Sequence, residues 1–235
     1  MKDGVKKRQI NAGLIPIVKA GKKLRKLRKN DNSNHDFNFD ILMANPPFAG
    51  DIKETRILAK YELGKKANGK YETALGRDIL FIERNLNFLK PGGRMAVVLP
   101  QGRFNNSSDK QIRELISERC RILGVIGLHG NVFKPHAGVK TSVLLVQKWN
   151  DDVTQGALCP KKDDYPIFFA TMQQPSKDNS GDKILVKNAD GSPTLDTHEH
   201  LITKHDLFNH DGITQDGIAE AFIEFAKKER LSFFQ

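Results

Sequence analysis

Asn45-Pro46-Pro47-Phe48 constrains this chain more than any other stretch, because two consecutive prolines cannot continue a central strand. Each fixes φ at about −65° and lacks an amide hydrogen. The apolar run before them, Asp40-Ile41-Leu42-Met43-Ala44, is continuous and bounded by breakers, which predicts a buried strand of a parallel sheet over 41–44. The prolines then impose a rigid turn at the carboxyl edge of that sheet, where open α/β folds place their ligands. That turn offers the amide of Asn45, the carbonyls of Pro46 and Pro47, and the flat ring of Phe48.

These groups suit one chemical problem, transfer to the exocyclic amino group of adenine. Its lone pair is delocalised into the ring, so it is a poor nucleophile. Two acceptors that take both amino hydrogens favour a more tetrahedral nitrogen and stabilise the positive charge that develops on it. Asn45 Oδ1 and the Pro46 carbonyl are the candidates. Phe48 would stack on a base flipped out of the duplex, a contact worth roughly 1–3 kcal/mol. No strong general base is needed. Asn and Pro are also common turn residues, so these four by themselves leave a plain turn as the alternative.

The surrounding segments carry more. They are FDILMANPPFAGDI, GRDILFIERNLNFLKPGGRMAVVLPQGRFN, IRELISERCRILGVIGLHGNVFKPHAGVKTSVLLVQKW and, further on, DYPIFFA and KDNSGD. Through them the stretch from Phe39 to Trp149 resembles, nearly end to end, the methylation (M) subunit of type I restriction-modification systems, which are adenine-N6 DNA methyltransferases. The likeness continues to about Asp182 and more faintly to the C-terminus. It implies an α/β fold, the second half of a class I S-adenosylmethionine-dependent methyltransferase sheet (Rossmann-like), with a C-terminal α+β extension. It implies S-adenosyl-L-methionine as methyl donor, and DNA, the specificity (S) subunit and the restriction (R) subunit as partners. Catalysis falls to Asn45, Pro46 and Phe48, with Pro47 mainly fixing the turn.

The same resemblance implies a cofactor loop of the form Asp/Asn-Pro-x-x-Gly-x-Gly-Gly, about a hundred residues upstream of the proline turn, whose glycines let the backbone approach the cofactor. No glycine-rich turn following a strand precedes Asn45. The expectation is therefore the C-terminal part of an M subunit, a truncated gene product or half of a split protein, with its cofactor-binding residues unknown. Two rivals stand beside it. One is a catalytically incomplete remnant that serves only in subunit assembly or DNA binding. The other is a methyltransferase for protein glutamine, whose planar amide suits the same turn; GRDILFIERNL and GVKTSVLL favour the type I reading over it.

Charge divides the chain unevenly. Residues 1–30 hold 11 Lys/Arg and one acidic residue, while the other 205 carry 27 of each sign, so the net +10 belongs to the N-terminal arm. Such an arm suits nucleic-acid contact, and a solvated tail is the other reading. Cys120 and Cys159 give neither a disulfide framework nor a ligand spacing, which fits a reducing cytoplasm. The spacing of His198, His200, His205 and His210 matches no zinc signature, so no metal is expected. No apolar run approaches the ~18 residues of a membrane span. The expected organisation is a basic arm over 1–35, the methyltransferase half over 36–150 and the extension over 151–235.

Periodicity supplies the elements. A helix is expected over 73–89, with Ile79, Ile82, Leu86 and Leu89 as its buried stripe and Asp78 and Glu83 mostly off it, stopped by Lys90-Pro91-Gly92-Gly93. A strand over 94–99 leads to Gln101 at the same carboxyl edge as Asn45, a candidate to contact substrate or DNA. Ser108 with Gln111 predicts a capping box for a helix through Arg119. Strands over 122–128 and 141–149, the last antiparallel, flank a loop around Pro135. In that loop Phe133, Lys134 and His136 are candidates for covering the base or touching phosphate, and for Phe133 simple packing is the alternative. The lysine-rich 49–70 stretch is a candidate DNA-facing loop or lid, or an ordinary surface loop. A strand is expected over 166–171, a loop or hairpin over 173–192, and an amphipathic helix over 213–230. That helix packs near the S subunit, as the resemblance implies, or on its own domain.

Overall fold

The computed structural model describes residues 38–66 and 68–233. The basic arm expected over 1–35, including a short helix around Leu24 and Leu27, lies outside the described residues. The strands are β1 (Phe39–Ala44), β2 (Asp51–Ile52), β3 (Leu75–Gly76), β4 (Leu89–Pro100), β5 (Cys120–Gly127), β6 (Thr141–Lys148) and β7 (Phe168–Thr171). The helices are α1 (Thr55–Leu58), α2 (Arg77–Phe88), α3 (Gly102–Asn105), α4 (Lys110–Arg119) and α5 (Ile218–Lys228). Five strands form one sheet in the order β1-β4-β6-β5-β7, and β2 pairs with β3 apart from it.

Direction within the sheet decides where a site can form. β1 runs parallel to β4, β6 runs antiparallel to β4 and β5, and β7 runs parallel to β5. All but β6 therefore point the same way, and four carboxyl ends share one edge. This is the expected α/β half-sheet, with its antiparallel strand where the alternation near Thr141 predicts it.

The details correct several expectations. β1 is not a buried strand but an edge strand among the described residues. Leu42 and Ala44 pack on the core, whereas Ile41 and Met43 are 54% and 81% exposed. Side chains alternate faces along a strand, and only one face of β1 meets the core. Helix α2 starts at Arg77, because Leu75 and Gly76 are taken up by pairing with β2. Its stripe of Ile79, Ile82 and Leu86 is buried as the spacing predicts. Asp78 and Glu83 are buried too, at 1% and 2% exposure, and so require partners. Glu83 accepts hydrogen bonds from the amides of Glu62 and Leu63, both at 2.9 Å.

Lys90 to Gly93 does stop α2, but the segment lies within β4 as a bulge. Phe39 faces Leu89 and Ile41 faces Arg94, so four residues are looped out opposite one. Gly92 has φ +71°, and a Cβ there would lie 1.9 Å from the Ala157 carbonyl oxygen, so only glycine fits. The Ser108–Gln111 capping box is absent. A single turn of 3₁₀-helix at Ser107–Asp109 leads into α4, with no side-chain cap. Asp109 is turned inward, to Arg103. Ile112, Leu115 and Ile116 bury α4 as expected.

At the C-terminal end, α5 begins at Ile218 and not at 213, and it packs on its own sheet. The Phe168 ring of β7 lies 5.4 Å from Phe222 and 5.6 Å from Phe225. Leu123, Ala226 and Leu231 are buried together beneath them. Residues 173–192 fold back by antiparallel bridges, Lys177 to Lys183 and Lys187 to Pro193, as the hairpin signature predicts. Cys120 and Cys159 are buried and unpaired, and burial pushes their thiols up to about 12 and about 11. No helix among the described residues is long and apolar enough to cross a membrane.

Arg103 ties these pieces together. Its guanidinium donates to Asp78 at 2.8 and 3.1 Å and to Asp109 at 3.1 and 3.2 Å. Burial by itself lowers the basicity of this group; the hydrogen bonds and charges of Asp78 and Asp109 outweigh that and hold it above its ordinary value. Removing one partner of a buried ion pair leaves an uncompensated charge. Urea unfolding should therefore show Arg103→Met destabilised by about 3–5 kcal/mol. A change below about 1 kcal/mol, the range of surface pairs, would mean that the carboxylates are hydrated and the bridge is ornamental.

Candidate functional site

The carboxyl edge of the sheet collects the expected site residues. β1 ends at Ala44, and Asn45 follows exposed, Pro46 buried, Pro47 exposed and Phe48 half-buried. The Asn45 side chain is exposed and makes no hydrogen bond to another described residue. Two prolines fix the exit angle, and Gly50 (φ +94°) then reverses the chain so that its carbonyl accepts the Arg77 amide at 3.0 Å. The β2–β3 pair anchors the same segment to the start of α2.

β4 ends at Pro100, leaving Gln101 exposed at the start of α3. The Gln101 amide donates to the Lys140 carbonyl at 2.9 Å, and the Leu128 amide to the Thr141 carbonyl at 2.9 Å. The loop between β5 and β6 is thus closed at its base, next to Gln101. From it Phe133 reaches back to the proline turn. The rings of Phe48 and Phe133 are 5.6 Å apart at 87°, a perpendicular aromatic pair. The ammonium of Lys134 points the other way, donating to Asn179 Oδ1 at 3.3 Å.

Phe48 and Phe133 are therefore in contact, with Asn45, Pro46, Pro47 and Gln101 at the ends of the parallel strands β1 and β4. The lysine-rich stretch after the turn is pinned at one end by Glu83 and holds the two-residue β2 and the short α1. Sequence reasoning missed Arg103, whose partners Asp78 and Asp109 lie 25 and 6 residues away. It also missed Asn131 and Asn179, which bond across from loop to extension at 3.4 Å. Nothing in a single sequence pairs residues that far apart.

Gly92 and Gly181, two glycines of the described residues, make no cradle for S-adenosylmethionine. A cofactor cradle needs glycines whose missing side chains leave room for a ligand. Gly92 and Gly181 instead leave room for protein, since a Cβ would lie 1.9 Å from Ala157 O and 2.6 Å from Pro135 Cδ.

A family model described as N-6 DNA Methylase matches residues 16–221. The methylase subunit of the type I restriction enzyme EcoEI of Escherichia coli is 31% identical over 117 residues, which make up 49% of this chain and 22% of that protein. The chain thus spans about a fifth of the length of that curated relative. Among solved structures, a protein from Listeria monocytogenes described as a class I S-adenosylmethionine-dependent methyltransferase has a TM-score of 0.47 and 24% identity, covering 60% of this chain and 38% of that one. The methyltransferase subunit of a type I restriction-modification system from Streptococcus thermophilus has a TM-score of 0.41 and 26% identity, covering 54% and 27%.

A double-mutant cycle measures the contact on which the site geometry turns. Phe48→Ala and Phe133→Ala, singly and together, should show a coupling of about 0.5–1.5 kcal/mol in chemical unfolding, as perpendicular aromatic pairs do. Strict additivity would mean that the two rings do not hold one another.

Proposed function

The chain belongs to the N-6 DNA methylase family, and from that premise we propose that it is the target-base side of a type I restriction-modification methylation subunit. The reaction on this reading is transfer of a methyl group from S-adenosylmethionine to the N6 amino group of adenine in DNA. The observation that supports it is the proline turn at the end of β1, with an exposed Asn45 amide and Phe48 paired at 5.6 Å to Phe133.

The residues of this chain then act as follows. Asn45 Oδ1 and the Pro46 carbonyl accept the two amino hydrogens, drawing the nitrogen toward tetrahedral geometry and offsetting the positive charge that grows on it. Pro47 holds the turn, so neither acceptor has to reorganise. Phe48 stacks on the extruded base, and Phe133 braces that ring. Residues 36–150 carry this chemistry on this reading, residues 1–35 contact DNA through their Lys and Arg, and residues 151–235 form the extension. Partners on this reading are DNA, the specificity subunit that reads the sequence, and the restriction subunit. On this reading a glycine-rich segment of the methylation subunit holds the methyl donor opposite the proline turn.

Two measurements test this. Calorimetric titration of S-adenosylmethionine into the chain alone should give no saturable heat. Clear binding at micromolar concentration would show that the chain rebuilds a donor site by itself, and would overturn the division of labour. With a cofactor-binding segment of a type I methylase subunit and a specificity subunit supplied, Asn45→Ala should lower methyl transfer to duplex DNA about 100- to 1,000-fold, as loss of one preorganised polar group does. Retained activity would remove Asn45 from the mechanism.

A further inference from the structure

Lys177-Asp178-Asn179-Ser180-Gly181-Asp182 has no part in the chemistry above, yet this is where the extension grips the loop that carries Phe133. The segment is a tight turn built around one carboxylate. Asp178 Oδ1 accepts from the amides of Ser180, Gly181 and Asp182 at 2.8, 2.9 and 2.9 Å. Lys177, Asn179 and Gly181 meet the loop. Lys177 Nζ donates to the Lys134 carbonyl at 2.8 Å. Asn131 Nδ2 donates to the Lys177 carbonyl at 3.0 Å and to Asn179 Oδ1 at 3.4 Å, and Lys134 Nζ donates to Asn179 Oδ1 at 3.3 Å. Gly181, at φ +98°, lies flat against Pro135, where a Cβ would come within 2.6 Å of the ring.

The tied residues, Asn131, Lys134 and Pro135, flank Phe133 on both sides. Within the loop itself the bonds are local turns, such as the Ala137 amide to the Phe133 carbonyl at 2.9 Å. Such turns shape the loop without fixing its distance from the proline turn. Phe133 is only half-buried, so packing alone does not fix it either.

We propose that the Lys177–Asp182 turn is a positioning device for Phe133: it holds the ring against Phe48 and thereby sets the slot that receives the target base. Asn131, Lys177, Asn179 and Gly181 are positioning residues, acting through Phe133. The consequence for catalysis rests on the function proposed above; the consequence for the ring does not.

The test separates the two. In the chain labelled with 4-fluorophenylalanine, the fluorine resonances of Phe48 and Phe133 are assigned by Phe48→Leu and Phe133→Leu. Asn179 is exposed, so Asn179→Ala leaves the fold intact, which unmoved Phe222 and Phe225 resonances verify. Asn179→Ala should shift or broaden the Phe133 and Phe48 signals together, and Asn179→Asp, which keeps the acceptor, should restore them. Unmoved Phe48 and Phe133 signals in Asn179→Ala would overturn the proposal. In the complemented enzyme, Asn179→Ala should raise the KM for DNA about tenfold, the scale of a weakened stacking contact, with the KM for S-adenosylmethionine unchanged. An unchanged KM for DNA would overturn the role in the base slot. A wild-type complex that transfers no methyl group at all would defeat the functional reading while leaving the fluorine result to decide on the clamp.

Discussion

One guanidinium between two buried carboxylates organises the carboxyl edge of this sheet. Arg103 comes from the short α3 after β4, Asp78 from the first turn of α2 and Asp109 from the turn before α4. Such an arrangement is a poor source of net stability, since desolvating the charges consumes most of their attraction. What it gives is register. The α2 end of the network is bonded through Arg77 to Gly50 just after the proline turn, and the other end is held by Arg113, which donates to the Asn106 carbonyl at 2.8 Å. Gly76 lies where a side chain would strike Asp78 Oδ1 at 2.7 Å, so the close approach of strand to helix depends on the same pair. The exits of β1 and β4, where Asn45 and Gln101 stand, are thereby referred to one fixed point.

Local patterns in the sequence made most of the core legible. The 3.6-residue spacing of Ile79, Ile82 and Leu86 gave the buried face of α2, and breakers around 41–44 and 94–99 gave the parallel pair. The misreadings share one physical cause, competition between local preference and distant partners. Ser108 and Gln111 have the spacing of a capping box, but Asp109 between them is drawn inward by Arg103. Asp78 and Glu83 look like surface charges until the guanidinium and the two amides that neutralise them are in place. β1 reads as buried because its composition is apolar throughout, and composition does not say how many faces are covered.

The candidate site divides in the same way. Its first element, the proline turn, is written in four adjacent residues whose chemistry is visible one by one. Its second, the ring of Phe133, is one aromatic residue in a loop, and only its 5.6 Å approach to Phe48 distinguishes it from packing. The turn that restrains that loop lies 43 to 48 residues further along, a separation over which a single sequence carries no signal. Aromatic contact and polar clasp together make the loop part of the sheet edge, and not a tether hanging over it.

The antiparallel strand β6 has a consequence for how the chain comes together. It lies between β4 and β5, which do not pair with each other, so the sheet has no continuous middle until residues 141–148 are available. A nascent chain carrying everything up to the Phe133 loop holds two separate strand–helix pieces with unsatisfied edges. Assembly therefore waits for a late segment to insert between two earlier ones, a non-local closure of the kind that makes folding slow. The order of synthesis and the order of the sheet run against each other here, and the carboxyl edge is complete only once β6 has joined β4 to β5.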